Sequence, residues 1–515
     1  VTRRSRLFLW SAVLVLALGL RLPALFAALP FTGYVDEGWL LRPVMRLIGE
    51  RTWDPGWYAY PSLPLYSIAG AVVLYSPVYA AVHGHPLRED LAADADWRYN
   101  LIEPVEVLVA GRALTLAVSL GIVMLTGLLA RRLAGEAAGV FAALLAALVP
   151  ALVIRSAIAS VDAWATFFVL AAIYCAEGAW RNGRARDALL AGAMIGCALT
   201  SKYPAVLAAV AVVPTLLRVE GDWRRKVRTV ALAAAAGLLA AAITMPALVL
   251  RSRAVLKEVV TVAGLYARSP IGDYWDQAVR RAEWDQPLDA PELGLPLLAA
   301  ALLGWLAAAR DRRFAGTALA WALYAGALGL LLNGYTSRPF RNLLPLVPLA
   351  CVLAALLLVR VRERLRRPVW IDAAAAGCAL ALLLPSGVTF ARDRAGQLDS
   401  RAEAIRWVAA RAGPGEAVLV SAELDVPRGE LARLPGEVAV LYRSQARAHL
   451  RREGSARFVI TWSFADPPHL PRLLGQGRTR APYELAARFG GETGRGQWEG
   501  NRRVVFVYRR AADGT

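Results

Sequence analysis

Apolar runs of about 20 residues recur along most of this chain, and each is long enough to cross a bilayer as a helix. A backbone in hydrocarbon has no water to bond with, so such runs can only be helices packed in a bundle. The runs fall at 7–29, 104–130, 135–154, 158–180, 187–201, 203–218, 229–250, 293–309, 315–333, 341–359 and 369–386. With 57% of the 515 residues in the set AVILMFWYC, disorder and an ordinary soluble enzyme are excluded. The first run follows Arg3, Arg4 and Arg6 and lacks a small-residue cleavage site, so it reads as a retained span rather than a signal peptide.

A net charge of +19 can signal nucleic acid, but here the basic residues are nearly all Arg and many sit in short connectors between apolar runs. That is the positive-inside pattern, and no nucleic-acid partner is expected. It also orients the chain. The basic N-terminus is placed in the cytoplasm. The run 61–82 is ambiguous: if it crossed, every later Arg-rich connector would lie outside. Read instead as a juxtamembrane or re-entrant helix, it leaves Arg131-Arg132, 181–187, 218–228, 310–313 and 360–367 all cytoplasmic. The expectation is about eleven crossings of the cell's cytoplasmic (inner) membrane, with the C-terminus outside. A membrane domain over 1–386 is then followed by a soluble domain over 387–515. In the latter, 398–420 reads as amphipathic helix, turn and strand, 437–441, 457–461 and 503–509 as strands, and 443–453 as a helix, an α/β domain of ordinary size.

This topology collects the polar residues on the outer face. "YVDEGWL" puts Asp36 and Glu37 just past the first span, among Tyr34, Trp39, Trp53, Trp57, Tyr58 and Tyr60. Aromatics mark the interface and also stack on sugars, and a carboxylate held there can act as a base. The competing reading is a solvated loop, or acids favouring a helix N-terminus. Asp162 opens the span 158–180 beside Ser160, where it is either a helix N-terminal acid or a functional group at membrane depth. Arg112 lies two turns inside the span 104–130 and needs a partner, for which Asp36 and Asp162 are candidates. Lys202, Arg338 and Arg341 stand at one depth on the outer side, either as snorkelling cations or as a phosphate site. The loop 251–292 mixes aromatics, acids and Arg, as a wall over a polar substrate would. The four cysteines lie in apolar runs without metal-ligand spacing, and His83 and His85 have no convincing zinc partners nearby.

Together these motifs resemble the GT-C glycosyltransferases, and more closely the bacterial family related to protein O-mannosyltransferases and lipid A aminoarabinose transferases. The resemblance rests on "YVDEGWL", "YPSLPLY" (60–66), "GR" at 111–112, "SVDAWATFF" (160–168), "GCALTSKYPAVL" (196–207) and "RPFRNLLPLVP" (338–348). It implies a polytopic α-helical membrane protein with juxtamembrane helices in the first outer loop and a small extracytoplasmic α/β domain. It also implies transfer of a sugar, with inversion, from a polyprenyl-phosphate donor to an acceptor hydroxyl of a lipid, protein or glycan. Asp36 corresponds to the family's base and Asp162 to the acid of the second outer loop, with Glu37 beside the base. Arg112, Lys202, Tyr60, Tyr335, Arg338 and Arg341 fall in segments bordering the substrates. Relatives often carry His-Pro-Pro, or an acid-Lys-Pro, where this chain has Tyr60-Pro61-Ser62, so no obligatory metal is expected, although a divalent ion remains an option. A transporter or flippase of envelope glycolipids is the alternative, and a non-enzymatic envelope scaffold a third reading. Against the transporter stand the lack of an internal repeat and the clustering of polar residues at one face.

Overall fold

The computed structural model describes residues 3–33, 35–93, 101–156, 158–268, 294–333, 340–365, 368–396, 399–441, 456–463, 483–490 and 504–510. They form two compact units. One comprises residues 1–25, 43–76 and 110–392, the other 26–42, 77–109 and 393–515.

Helices dominate up to residue 396. In chain order they begin α1 (Arg3–Leu25), α2 (Val35–Gly49), α3 (Ser62–His83), α4 (Leu87–Ala93), α5 (Val105–Ala134), α6 (Glu136–Leu148), α7 (Pro150–Arg155), α8 (Val161–Asn182) and α9 (Ala185–Leu199). A 3-10 turn at Tyr203–Ala208 leads into α10 (Ala209–Leu216), followed by α11 (Trp223–Thr244), α12 (Ala247–Leu250) and α13 (Ser252–Arg268). Among the described residues, helices Leu295–Arg310, Ala315–Asn333, Leu346–Leu365 and Pro368–Gly396 follow. Among the described residues, seven helices are long and apolar enough to cross a membrane: α1, α3, α5, α8, α11, Ala315–Asn333 and the stretch Trp370–Arg392. The chain is a polytopic helical membrane protein.

Three expectations are modified. Length and apolarity put α3 among the possible spans, where connector charge had made it juxtamembrane or re-entrant. The segment 251–292, read as a loop, begins as the helix α13. The run 135–154 is not one helix but two, and the cause is Pro150. Val149, preceding it, is extended (φ −60°, ψ 123°), as the proline ring requires of its predecessor.

That break frees the carbonyl of Ala146, which a residue 150 with an N–H would have satisfied. Arg21 of α1 takes over. Its Nη2 donates to Ala146 O at 3.1 Å and its Nη1 to Ala147 O at 2.8 Å and to Ala17 O at 3.0 Å. Nε donates to Ser119 Oγ at 3.2 Å, and the side chain is fully buried. A cation deep in a helical bundle is thus spent on backbone groups that have no water to turn to. Further along, α9 and α11 approach through Gly192 and Gly237, where a Cβ on Gly237 would stand 2.9 Å from the Gly192 carbonyl oxygen. Small residues allow this contact between helices.

In the second unit, strands β1 (Ala417–Ser421), β2 (Val438–Leu441), β3 (Ala456–Ser463), β4 (Tyr483–Phe489) and β5 (Val504–Arg510) form one sheet in the order β2-β1-β3-β5-β4. β1 runs parallel to β2 and β3, and β5 runs antiparallel to β3 and β4. Alternation divides the strands cleanly. Val418, Val420, Phe458, Ile460, Val505 and Val507 face a core shared with helix Ser400–Ala409. Leu419, Val459, Val504 and Phe506 face the other side. Phe31, from the segment before α2, is buried in the first of these cores. β4 was not anticipated: "YELAARF" has no strong strand pattern and is held as an edge by β5. The helix expected at 443–453 lies outside the described residues.

Arg21→Met should lower stability by about 2–4 kcal/mol, because it strands buried carbonyls. Pro150→Ala in that background should restore part of the loss, since residue 150 regains an N–H for Ala146. Thermal unfolding in nanodiscs measures both; an unaltered melting temperature in Arg21→Met would contradict the assignment.

Candidate active site

Asp162 lies in the first turn of α8 and is 4% exposed. Lys202 sits in the extended link between α9 and the Tyr203–Ala208 turn, which Pro204 starts. Its Nζ donates to Asp162 Oδ1 at 2.6 Å and to Asn342 Oδ1 at 2.7 Å. The guanidinium groups of Arg341 and Arg155 add to the positive field at the same carboxylate. Three segments distant in sequence, 155–162, 202 and 341–342, therefore meet at one corner. The Asp162 carboxylate is spent on an ammonium group, and Ser160, the N-cap of α8, makes no side-chain cap. Ser160 Oγ and Trp164 Nε1 are buried and find no partner among the described residues. The start of α3 joins this corner: Leu63 N donates to Thr200 O at 3.0 Å.

Of the expected residues, the structure thus brings together Asp162, Lys202 and Arg341. Arg112 donates to Leu25 O at 3.3 Å, at the end of α1. Tyr60 stands edge-on to Trp57, ring centroids 5.2 Å apart. Tyr335 and Arg338 lie outside the described residues. Arg155, Asn342 and Trp164 were not singled out from sequence, and Ser160 was named only as the neighbour of Asp162 at the helix start. Asn342 lies beside Arg341 in "RPFRNLLPLVP" and Arg155 lies seven residues before Asp162, and those neighbours were the available signal.

Asp36 and Glu37 belong to the second unit and form the first turn of α2. Asp36 is half-buried and Glu37 fully buried. Glu37 Oε2 accepts from Gly33 N at 2.8 Å, which closes the chain before the helix onto its first turn. Two adjacent acids here differ in exposure: Glu37, which holds the Gly33 N–H, is fully buried, and Asp36 is the more accessible. His83 and His85 face acids, with His83 Nε2 3.3 Å from Glu106 Oε1 and His85 Nδ1 3.6 Å from Asp90 Oδ2. Among the described residues, no group of three or more His, Cys, Asp or Glu is placed to hold a metal ion.

The stretch before α3 is clasped to α13. Arg251 Nη1 lies 2.6 Å from Asp54 Oδ2, Tyr58 Oη donates to Asp54 Oδ1 at 2.6 Å, and Tyr58 N donates to Glu258 Oε2 at 2.7 Å. Tyr203 Oη donates to Tyr58 O at 2.6 Å, linking the clasp to the Lys202 corner. Burial would raise the Asp54 pKa, but hydrogen bonds from Tyr58 and Gly56 and the nearby Arg251 and Arg46 outweigh it and hold the carboxyl below its usual range. Burial, then the bond to Asp54 and its charge, push the Tyr58 phenol up to about 12.

Residues 105–250 match the family described as dolichyl-phosphate-mannose-protein mannosyltransferase, less than a third of the chain. No curated protein matches in sequence. Among solved structures, ArnT from Cupriavidus metallidurans in the apo state superposes with a TM-score of 0.58 at 16% identity, over 96% of this chain and 98% of that one. The same protein bound to undecaprenyl phosphate gives 0.55 at 15% identity, over 98% of each chain. The chain has the GT-C fold. The Archaeoglobus fulgidus oligosaccharyltransferase AglB, in complex with an inhibitory peptide and a dolichol-phosphate, matches at 0.53 and 15% identity, over 88% of this chain and 69% of that one. The resemblance to protein O-mannosyltransferases and aminoarabinose transferases is thus met by a family match in the membrane part and by the fold.

The clasp has a defined pH signature. A raised phenol means that, from about pH 10 to about 12, the folded state keeps a proton the unfolded chain has lost, so stability falls as pH rises. A depressed Asp54 contributes above the unfolded carboxylate value of about 3.9 and is lost as pH falls through its folded value. The stability difference between wild type and Tyr58→Phe, from thermal melts, should be constant near neutrality and shrink above about pH 10. A difference unchanged to about pH 12 would contradict the clasp.

Proposed function

We propose that the chain is a glycosyltransferase that moves a sugar from a polyprenyl-phosphate donor to an acceptor hydroxyl at the outer face of the cytoplasmic membrane, with inversion at the anomeric carbon. The observation that carries this reading is the Lys202–Asp162–Asn342 corner with Arg341 and Arg155 beside it, in a fold shared with an ArnT that binds undecaprenyl phosphate. A phosphate-linked sugar is already activated, so chemistry needs two things: cations for the departing phosphate and a base for the acceptor hydroxyl. Lys202, Arg341 and Arg155 offer the cations. Arg338, in the same arginine-containing segment, joins them in this reading, and Arg112, Tyr60 and Tyr335 border the substrates.

Asp162 orients Lys202. Asp36 is the base, being the more accessible of the two outer-loop acids, and Glu37 fixes the turn that carries it. No obligatory metal enters the reading. The N-terminus is cytoplasmic, a membrane domain over 1–386 holds the lipid donor, and an outer domain over 387–515 contributes to acceptor choice. The acceptor is a lipid, protein or glycan hydroxyl; AglB, with its peptide, shows that one protein of this fold takes a peptide.

Membranes containing the protein, incubated with radiolabelled polyprenyl-phosphate sugars, should pass label to a new acceptor. Asp36→Asn should keep folding and donor binding and lower transfer about 100-fold or more, the usual scale for losing a general base. Glu37→Gln should cost less. Full transfer by purified Asp36→Asn would remove Asp36 from the mechanism, and label crossing the membrane still attached to its lipid would favour a flippase.

A further inference from the structure

We infer that Arg401 of the C-terminal domain is a positioning residue for the Asp36 turn. The inference rests on the proposed role of Asp36, and every group it uses lies in the second unit.

Arg401 is 1% exposed, in the first turn of helix Ser400–Ala409. Asp399, the N-cap of that helix, holds its guanidinium from one side, with Nε to Oδ1 at 2.7 Å and Nη2 to Oδ2 at 2.8 Å. The remaining donors go to backbone. Nη1 donates to Leu424 O at 3.0 Å, and Nη2 donates to Thr32 O at 2.8 Å. The guanidinium also lies over the Phe31 ring, 4.5 Å from its centroid, and Phe31 itself is sealed in the domain core with Ile405, Val408 and Val420.

Thr32 is thus pinned from a residue 369 positions away. The very next residue, Gly33, donates its N–H to Glu37 at 2.8 Å, and Asp36 precedes Glu37 in the first turn of α2. The linkage is continuous: domain core and Asp399 fix Arg401, Arg401 fixes the Thr32 carbonyl, and Gly33 and Glu37 carry that constraint into the turn bearing Asp36. A fork that bonds a carboxylate and two carbonyls at once needs the planar guanidinium; an ammonium cannot reproduce it. A buried ion pair is by itself weak evidence for stability, which leaves geometric specification as its role here. Misplacing a reacting group by about 1 Å costs on the order of 100-fold, so a slack Thr32 should be felt in turnover.

The test uses the full chain in nanodiscs and compares Arg401→Met, Arg401→Lys and Asp399→Asn with Val408→Ala, which weakens the same core packing but removes none of the polar contacts of the linkage. Hydrogen exchange over residues 31–40 should speed about tenfold more in Arg401→Met than in Val408→Ala, with Arg401→Lys in between. In the transfer assay, kcat should fall about tenfold while donor KM stays within about twofold. Equal exchange in Arg401→Met and Val408→Ala, or a loss seen only in KM, would overturn the inference. If Arg401→Met fails to fold, Arg401→Lys and Asp399→Asn decide by the same criteria. If the wild type transfers no sugar, the proposed function fails, yet the exchange comparison still decides whether Arg401 holds the turn.

Discussion

In hydrocarbon no polar group can turn to water, and this constraint organises the membrane part of the protein. Arg21 shows it most plainly. Pro150 breaks a helix, the break exposes carbonyls, and a fully buried guanidinium from another helix answers them. The α6–α7 break places Arg155 at the end of a short helix, one loop before Asp162.

At that corner the same constraint acts on charges. A surface ion pair contributes on the order of 1 kcal/mol or less, while taking one partner from a buried pair costs about 3–5 kcal/mol. With Asp162 at 4% exposure and the Lys202 side chain at 23%, the pair stands between these limits, its lysine end open. Such pairs rarely repay their desolvation as stabilisers, and ionisable groups at membrane depth cluster at functional sites. The surplus of positive charge around one carboxylate is what the proposed phosphate role would use.

Much of the fold was legible from the chain. Apolar runs marked the helices, short apolar stretches marked β2, β3 and β5, and the acids and cations of the site stood out against apolar surroundings. What was not legible shares a physical cause. Partners that are backbone carbonyls, such as Ala146 for Arg21, Leu25 for Arg112 and Thr32 for Arg401, carry no side-chain signature. Asn342 and Arg155 gain meaning only once distant segments meet. β4 owes its strand to pairing with β5 rather than to propensity, and the arginine parity applied to α3 reads connector charge, which length and apolarity do not see.

The central claim is that the Lys202 corner receives a lipid phosphate. Native mass spectrometry of the purified protein titrated with a polyprenyl phosphate tests it without needing the sugar or acceptor. The informative variant is Asp162→Asn with Lys202→Met, which removes both charges and leaves neither ion stranded. The account predicts that this double variant folds and binds the lipid at least about tenfold more weakly, a loss of about 1.4 kcal/mol. Undiminished affinity in a folded double variant would contradict it.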